Sequence, residues 1–336
     1  MNKVLVIGGG FAGCCAASRL AEGGAEVLLV ESASEIGGRV RKYGCKAGAK
    51  CNDCGVCLAG GLWAAIVKNP SVKVITSARV TDLRREACAY TAEIESPAGC
   101  IGVGGISSVL VSTGFDSMNE GRSAYLHLSG ETGVLTGTEL ETVMRGRGRD
   151  GIFAAPPGRV AFVQCFGSRD GHERSNYCSR VCCSYSVRMT KAIKHYYPGC
   201  GVTFFYMELQ NTANSDVWAE LAAMGVRFLK CRPLEISGGR PVTVEYDAPA
   251  LGRMSENFDV VVLSEGIHPS RENWKIAEIC GLEQDKNGFL RAESAIGVHV
   301  AGTARRPMTI AETRHDAVTA AAAILSELCP NGSAAG

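Results

Sequence analysis

Near the start of the chain, residues 4–31 read VLVIGGGFAGCCAASRLAEGGAEVLLVE. A short apolar run at Val4–Ile7 leads into a glycine turn, and a second apolar run at Val27–Val30 ends at the acidic residue Glu31. The stretch between the two runs has the composition of a helix. A strand, a glycine turn, a helix, a strand and an acid in this order predict the first βαβ unit of a dinucleotide-binding fold.

The glycine turn fills the positions of the G-x-G-x-x-G pattern. We expect Gly8 to permit the tight turn, Gly10 to let the backbone approach a pyrophosphate, and Gly13 to let helix and strand pack closely. The helix N-terminus then offers free N–H groups and partial positive charge to the phosphates. A glycine-rich turn without a ligand is the alternative, but the flanking elements and the terminal acid favour binding. The predicted contacts here are Gly8, Gly10, Phe11, Ala12 and Gly13, with Glu31 bonding the adenosine ribose.

The residues that follow favour FAD as the dinucleotide. Gly37-Gly38-Arg39 has the spacing of flavin-binding Rossmann proteins, in which a second turn closes over the pyrophosphate. Apolar runs at Val109–Val111 and Asp259–Leu263 each lead into a small-residue turn, as at the crossing points of two-dinucleotide flavoproteins. The last strand, Val298–Ala301, precedes an alanine-rich helix, Thr309–Ile324, and the alternative is that both only pack. The further predicted FAD contacts are Gly38, Arg39, Thr113, Gly114, Gly302, Thr303, Thr309 and Ile310.

The middle of the chain has an α/β rhythm of its own. Arg159–Val163 and Val202–Leu209 are typical of strands, and Ser184–Tyr197 of the helix between them. This is the nicotinamide-domain position of a thioredoxin-reductase-like flavoprotein. The turn after the first strand, however, reads QCFGSR at residues 164–169, so the glycine cradle for a nicotinamide coenzyme is missing.

These patterns predict an α/β protein with two Rossmann-type three-layer domains. Residues 1–155 and 258–336 form a discontinuous FAD-binding domain, and residues 156–257 form a nicotinamide-domain-like domain modified to hold an iron–sulfur cluster. The formal net charge of +1 argues against a nucleic-acid partner. No stretch approaches the roughly 18 apolar residues that span a bilayer. The 16 cysteines without an export signal favour a cytoplasmic protein whose clustered thiols bind metal.

Two groups of cysteines are candidates for metal binding. The first group lies within 19 residues, as a [4Fe–4S] cluster with four thiolates requires: Cys165, Cys178, Cys182 and Cys183. Zinc also accepts four cysteines, although the adjacent pair is unusual for zinc sites built from C-x₂-C pairs. The second group can ligate a second cluster or zinc, or supply a redox disulfide: Cys45, Cys51, Cys54 and Cys57.

Two runs of residues carry a family resemblance. The run VQCFGSRD at residues 163–170 and the run YCSRVCC at residues 177–183 closely resemble the signature of the A subunit of heterodisulfide reductase. The resemblance extends to residues 52–57, 202–206 and 301–304, and so covers nearly the whole chain. It implies that Cys165, Cys178, Cys182 and Cys183 ligate a [4Fe–4S] cluster near FAD on a thioredoxin-reductase-like fold.

The chain departs from the methanogen members of this family. It has none of their ferredoxin-type C-x₂-C-x₂-C-x₃-C-P runs, and Arg188 stands where they have a lysine that approaches flavin N5. The resemblance therefore implies a catalytic position for Arg188 near flavin N5. Its short length is more similar to the flavoprotein subunit of the heterodisulfide-reductase-like complex of bacterial sulfur oxidation. That resemblance implies a cytoplasmic complex with iron–sulfur protein subunits, and a homodimer of this chain.

The expected function is therefore that of an oxidoreductase subunit which moves electrons between FAD and a [4Fe–4S] cluster. One alternative is a stand-alone pyridine nucleotide–disulfide oxidoreductase that uses the cysteines near Cys54. A second alternative is a non-catalytic FAD-binding assembly protein with structural zinc.

Overall fold

The computed structural model describes residues 2–117, 133–146, 151–169, 176–210, 216–248, 251–291 and 295–329. The chain divides into two compact units. The first unit consists of Met1–Arg41, Gly55–Asp116 and Pro269–Gly336. The second unit consists of Lys42–Cys54 and Ser117–His268.

The described residues form 17 strands and seven α-helices. The strands are β1 (Lys3–Ile7), β2 (Glu26–Val30), β3 (Val72–Ile75), β4 (Arg79–Glu86), β5 (Ala89–Ser96), β6 (Gly99–Val111), β7 (Phe115–Asp116), β8 (Val134–Thr136), β9 (Arg159–Phe166), β10 (Gly201–Phe205), β11 (Arg227–Leu229), β12 (Pro233–Ser237), β13 (Val242–Ala248), β14 (Gly252–Phe258), β15 (Val260–Glu265), β16 (His268–Pro269) and β17 (Val298–Val300). The helices are α1 (Phe11–Glu22), α2 (Cys57–Lys68), α3 (Gly137–Gly146), α4 (Cys182–Tyr196), α5 (Val217–Ala223), α6 (Asn273–Cys280) and α7 (Ile310–Leu328). No helix among them is both long enough and apolar enough to cross a bilayer.

The first unit is built on a seven-stranded sheet in the order β3-β2-β1-β6-β5-β4, with β17 also paired to β6. The long strand β6 pairs in parallel with β1 and β17 at its end and antiparallel with β5 at its start. Strand β1 is apolar beyond its first residue because both of its faces are covered. Val4 and Val6 pack in the core with α1, α2 and α7, while Leu5 and Ile7 pack on the opposite face with α6.

The second unit contains a five-stranded parallel sheet in the order β11-β10-β9-β15-β8. Helices α3, α4 and α5 bury their apolar residues against one face around Phe162 and Phe204. The antiparallel sheet β12-β13-β14 covers the other face around Phe205 and Phe258. This is a three-layer arrangement of the kind predicted from the sequence.

The two compact units change over at 41/42, 54/55, 116/117 and 268/269, whereas the sequence analysis places its domain boundaries at 155/156 and 257/258. The physical reason lies in two strands that the sequence analysis assigns to the FAD-binding domain. Strand β15 pairs with β9, and β8 pairs with β15, so hydrogen bonding fixes both strands in the second sheet. Which unit binds which cofactor stays a prediction.

The predicted elements of the middle segment are present with shifted ends. Strand β9 runs three residues past the predicted Val163, and β10 ends at Phe205, short of the predicted Leu209. Helix α4 begins at Cys182, two residues before the predicted start. This earlier start puts two of the predicted cluster cysteines on the first helical turn.

Candidate functional site

The glycine turn after β1 leaves no room for side chains at two of its three glycines. A Cβ atom on Gly8, whose φ is +101°, would lie 2.5 Å from the carbonyl oxygen of Ser112. A Cβ atom on Gly13 would lie 1.9 Å from the carbonyl oxygen of Gly8. The two positions have the roles that the sequence predicts for them, since one makes the turn and the other lets α1 pack against it.

Gly10 lies in open space at the start of α1. No atom lies within 4 Å of a Cβ placed there, and Gly10 is the N-cap of a helix that has no side-chain cap and no acidic residue in its first turn. The first N–H groups of α1 are therefore not used by a capping side chain, and no acidic residue of the first turn would repel a bound anion. This is the arrangement that binds phosphate at a helix N-terminus.

Glu31 follows β2 beside this turn with only 8% of its surface exposed. Its carboxylate accepts hydrogen bonds from the backbone N–H of Gly9 at 2.7 Å and from that of Ala33 at 2.7 Å. The carboxylate therefore fixes the glycine turn. Its predicted bond to an adenosine ribose stays a prediction.

The second turn, Gly37-Gly38-Arg39, lies directly over the first. The N–H of Gly37 donates to the carbonyl of Gly9 at 2.7 Å, and a Cβ on Gly38 would lie 3.1 Å from Cα of Gly10. Arg39 reaches the end of β7, where its Nε donates to the carbonyl of Phe115 at 2.8 Å. The predicted contacts of both turns thus come together at one edge of the sheet.

The residues after β17 close on the same turn. A Cβ on Gly302, whose φ is +70°, would lie 2.6 Å from Cβ of Ala12. The N–H of Gly302 donates to Asp316 on α7 at 2.7 Å, and Arg305 pairs with the same carboxylate at 2.8 Å. Thr309 caps α7 through a capping box with Glu312, which fixes the start of the helix where Ile310 is the first residue.

The cysteine site of the second unit begins with a bulge at the end of β9. Val163 is opposite Leu263 and Phe166 is opposite Glu265, so β9 has one residue more than β15 across this step. Cys165 lies in the bulge with φ of +58°, in the left-handed region that non-glycine residues rarely adopt. Such bulges redirect a side chain and are frequent next to functional sites.

Three buried thiols meet at this bulge. The thiol of Cys182, in the first turn of α4, is hydrogen-bonded to those of Cys165 and Cys183, and all three residues are at most 2% exposed. The hydrogen bond from Cys182 lowers the pKa of Cys165 to about 7 against the opposing effect of burial, with help from Arg169 and Arg232. The hydrogen bond from Cys182 also lowers the pKa of Cys183. The contacts among the three thiols thus lower the pKa of Cys165 and of Cys183 and raise that of Cys182.

The loop that carries the fourth cysteine, Cys178, is hydrogen-bonded to the residues that follow the bulge. Ser179 and Ser168 share a hydrogen bond of 2.6 Å, and the N–H of Arg169 donates to the carbonyl of Tyr177 at 3.2 Å. Cys178, between Tyr177 and Ser179, is half-buried and accepts the N–H of Arg180 at 3.3 Å. Asp170, the last residue of the signature run, lies outside the described residues.

The donor set fits a thiolate-ligated cluster in its chemistry. Four cysteines from one bulge, one helix turn and one tethered loop supply the soft sulfur ligands that such a cluster needs. As placed, no three His, Cys, Asp or Glu side chains of the described ranges surround a common metal position.

Comparisons with known proteins agree with this geometry. The profile of the NAD(P)-binding Rossmann-like domain family matches residues 6–57 and confirms the predicted dinucleotide-binding βαβ unit. The A subunit of the Ferredoxin:CoB-CoM heterodisulfide reductase of Methanosarcina mazei is 26% identical over 408 residues, which cover 92% of this chain and 51% of that protein. The A subunit of the H(2):CoB-CoM heterodisulfide,ferredoxin reductase of Methanothermobacter thermautotrophicus is 32% identical over 240 residues, 65% of this chain and 36% of that protein.

This chain is similar in sequence to the A subunits of heterodisulfide reductases. It spans about half the length of the curated relatives it matches. The predicted thioredoxin-reductase-like fold is also confirmed. Thioredoxin reductase of T. acidophilum superimposes with a TM-score of 0.65 at 18% identity, over 98% of this chain and 99% of that one. The Lactococcus lactis thioredoxin reductase superimposes with a TM-score of 0.65 at 16% identity, over 97% of this chain and 100% of that one.

Arg188, at the position where methanogen heterodisulfide reductases are expected to have a lysine, lies on α4 five residues beyond Cys183. Its Nε donates to the carbonyl of Asn52 at 2.9 Å, and it is one of the cations that act on the buried carboxyl of Glu141. Burial raises the pKa of Glu141 even though Lys46 Nζ lies 2.6 Å away. The predicted role of Arg188 near flavin N5 stays a prediction.

The second cysteine group is not arranged as a metal site in the described part of the chain. Cys45, Cys51 and Cys57 are exposed and Cys54 is half-buried. Cys45, Cys51 and Cys54 belong to the second unit. Cys57 is the first residue of α2 and belongs to the first unit.

Several polar residues at the two sites have no signature in the sequence. Asp316 and Arg305 hold the Gly302 turn, and buried Asn273 accepts a hydrogen bond from Thr113 at 3.3 Å. Beneath α4, Gln164 donates to Ser264 at 3.1 Å, and Ser264 shares a hydrogen bond of 3.0 Å with Ser186. No sequence motif marks these residues, because each hydrogen-bond partner lies 11 to 160 residues away in the sequence.

Proposed function

We propose that this chain is an electron-transfer oxidoreductase subunit which binds FAD on the first unit and a [4Fe–4S] cluster on Cys165, Cys178, Cys182 and Cys183 of the second. The proposal depends on one observation, which is that cysteines replace the expected glycine turn at the end of β9. Where a nicotinamide-binding Rossmann domain needs a glycine cradle, this chain has three buried thiols in mutual contact.

The choice of FAD is supported by the edge formed from both glycine turns and the Gly302 turn. Gly10 leaves open space at the uncapped N-terminus of α1. A Cβ on Gly38 would lie 3.1 Å from Cα of Gly10, and a Cβ on Gly302 would lie 2.6 Å from Cβ of Ala12. The reductases of the same fold share this architecture over nearly their whole length. Bound FAD would accept two electrons together and release them singly.

The cluster is supported by the donor set and by the relatives. One of these relatives, from Methanopyrus kandleri, is named as an iron-sulfur subunit of CoB--CoM heterodisulfide reductase and is 24% identical over 92% of this chain. A bound cluster would supply one-electron chemistry. The chain's own residues would hold the thiolates, exclude water by burial of Cys165, Cys182 and Cys183, and offset negative charge with Arg169 and Arg232.

We further propose a cytoplasmic heterodisulfide-reductase-like complex of sulfur oxidation as the setting, with iron–sulfur protein subunits as partners and a homodimer of this chain. The relatives are named as subunits, which supports a multi-subunit assembly. The chain spans about half of their length and has no ferredoxin-type cysteine run of the C-x₂-C-x₂-C-x₃-C-P form.

The test is anaerobic purification of the full chain with quantification of flavin, iron, sulfide and zinc. The variant Cys182→Ser should lose about four iron atoms per chain while it keeps its flavin. Cys200→Ser is the matched control, because Cys200 is 2% exposed and Cys182 is 1% exposed, but Cys200 lies outside the ligand set. This variant should keep both its iron and its flavin. Unchanged iron in Cys182→Ser, or zinc in place of iron in the wild type, would contradict the proposal.

A further inference from the structure

Arg169 lies in the turn that follows β9, and its backbone has an unusual conformation. Its φ is +56°, in the left-handed region that non-glycine residues rarely adopt. Its N–H donates to the carbonyl of Tyr177 at 3.2 Å, which ties it to the loop that carries Cys178. Strained residues of this kind persist where the surrounding structure fixes them, and they cluster at functional sites.

The residue before Arg169 is held by two contacts. Ser168 is 1% exposed and shares a hydrogen bond of 2.6 Å with Ser179, which is fully buried. A Cβ atom on Gly266 would lie 2.1 Å from Oγ of Ser168 and 1.9 Å from Oγ of Ser179. Both hydroxyls are thus packed directly against the backbone of the turn after β15. The Arg169 side chain therefore starts from a defined position beside the cysteine site.

The guanidinium of Arg169 has one nitrogen paired near the surface and another nitrogen in the interior. Nη2 lies 2.9 Å from the carboxylate of Glu208, whose side chain is 62% exposed. Nη1 is buried and has no hydrogen-bond partner among the residues that the structure describes. Leaving a buried donor unpaired is unfavourable, and more so for a charged group than for a neutral one. Nη1 therefore needs an acceptor beyond those that the described residues supply.

The charge of Arg169 acts on two thiols of the cysteine site. The pKa of Cys165 is lowered to about 7 chiefly by the hydrogen bond from Cys182, and the charge of Arg169 and a hydrogen bond from its side chain add to this effect. The pKa of Cys183 is likewise lowered first by Cys182 and in part by the charge of Arg169. An opposite charge acts in this way mainly within about 4–6 Å. The guanidinium therefore lies near two of the predicted cluster ligands.

The charge of a bound cluster would need a partner at this place. A cluster held by four thiolates is negatively charged, and its reduction adds one more electron. Three of the four predicted ligands are at most 2% exposed, so water solvates little of this charge. Buried charge requires an opposite charge or hydrogen-bond donors. A guanidinium supplies both, because it is permanently protonated and carries five N–H donors in a planar fork.

Burial distinguishes Arg169 from two other arginines of the site. Its side chain is 29% exposed, whereas Arg180 and Arg232 are exposed residues. Solvent and salt screen an exposed charge much more than a partly buried one. Arg169 is therefore the better placed of the three to act on a buried cluster.

From these observations we propose that Arg169 balances the charge of the [4Fe–4S] cluster, donates an N–H of Nη1 to one of its sulfur atoms, and thereby raises its reduction potential. The proposal rests on the proposed function, because it requires the cluster. It adds the residue that sets how readily the cluster accepts an electron. The reduced cluster is more negative by one electron, so a fixed cation and an N–H donor stabilise the reduced form more than the oxidised form.

The experiment is a redox titration of the anaerobic full chain, followed by the electron paramagnetic resonance signal of the reduced cluster. Iron and flavin are quantified in the same samples, and flavin content reports on the fold. We expect Arg169→Gln to keep its iron and flavin. At a given potential, its ratio of reduced to oxidised cluster should be at least about tenfold lower than in the wild type, a shift of about 59 mV for a one-electron couple.

Arg180→Gln is the matched control, because it removes the same charge from an exposed residue between Cys178 and Cys182. Solvent and salt screen that charge, so the ratio should change by less than about twofold. Arg169→Lys keeps the charge but not the planar fork, and its ratio should fall by about threefold. This variant decides the test if Arg169→Gln does not hold iron.

The proposal is overturned if iron-loaded Arg169→Gln titrates like the wild type, or if Arg180→Gln shifts the ratio as far as Arg169→Gln does. It is also overturned if Arg169→Lys is the variant that must decide and it titrates like the wild type. Failure of the proposed function gives a different result, in which Cys182→Ser keeps its iron or the wild type has none. Loss of iron in Cys182→Ser with an unshifted Arg169→Gln removes only the role of Arg169.

Discussion

At the scale of single residues, the dinucleotide site depends on glycines that have no space for a methyl group. Gly13 is the strictest case, because its Cβ would overlap the carbonyl oxygen of Gly8 at 1.9 Å and Ser112 Oγ at 2.7 Å. The first contact is a backbone atom, and Ser112 Oγ is held by hydrogen bonds to the carbonyls of Ile7 and Gly8. The turn must therefore shift if this glycine is replaced.

We expect Gly13→Ala to weaken FAD binding by about 1–3 kcal/mol, the usual cost of overpacking a tight site. This corresponds to roughly a 5- to 150-fold higher dissociation constant, measurable by flavin fluorescence on reconstitution of the apoprotein. Gly60→Ala on α2 is the control, since no atom lies within 4 Å of its Cβ position, and it should bind FAD normally. Equal binding by both variants would show that the turn is not the cofactor site.

At the scale of elements, one carboxylate connects the two sheets of the second unit. Glu256 on β14 accepts hydrogen bonds from Arg159 on β9, Arg227 on β11 and Tyr246 on β13. Burial raises the pKa of Glu256, but the hydrogen bonds from these three side chains outweigh it and lower the pKa to about 2. The carboxylate thus contributes to folding mainly in its ionised form.

The stability of the protein should depend on Glu256 in a pH-sensitive way. A carboxyl group whose pKa is lowered by folding stabilises the native state above its unfolded pKa and loses that contribution as pH falls toward its folded pKa. We expect Glu256→Gln to lower the free energy of unfolding by about 2 kcal/mol at pH 7, with the difference from wild type shrinking between pH 4.5 and pH 2. Urea denaturation of both proteins at pH values from 7 to 2 measures this difference in the free energy of unfolding.

Glu245→Gln provides the comparison for that series. Glu245 on β13 pairs with Arg253, whose side chain is 64% exposed, so its loss should change stability little at any of these pH values. A constant difference between wild type and Glu256→Gln from pH 7 to pH 2 would contradict the role assigned to the carboxylate.

Local patterns of sequence predict the elements better than they predict the contacts between them. The glycine turn, Glu31 and the second turn at Gly37 follow from spacing alone, because their partners are close in sequence or fixed by the βαβ geometry. The bulge at Cys165 depends on pairing with β15, about a hundred residues away in sequence, and no local signal marks it. The Lys46–Glu141 pair has no local signal for the same reason.

At the scale of the whole molecule, the chain has the fold of a reductase whose second domain lacks the usual coenzyme cradle. The residues at the end of β9 read QCFGSR, and Cys165 occupies a left-handed bulge there. A nicotinamide coenzyme needs a glycine turn that lets backbone N–H groups approach its pyrophosphate. Electrons should therefore enter or leave the second unit by a different route.

It follows that NADPH should not reduce the flavin of the isolated chain. Under anaerobic conditions, we expect excess NADPH or NADH to leave the flavin absorbance unchanged over minutes, whereas dithionite bleaches it completely. Rapid bleaching by NADPH alone would instead support the stand-alone disulfide oxidoreductase that uses the cysteines near Cys54.

The most direct test of the account is electron paramagnetic resonance of the dithionite-reduced, anaerobically purified protein at cryogenic temperature. We predict a cluster signal that persists in Cys45→Ser/Cys51→Ser/Cys54→Ser and in Cys200→Ser but disappears in Cys182→Ser, while flavin content stays constant. A flavin-containing wild type without any cluster signal, or a signal that survives in Cys182→Ser, would contradict the claim that the thiols after β9 hold iron.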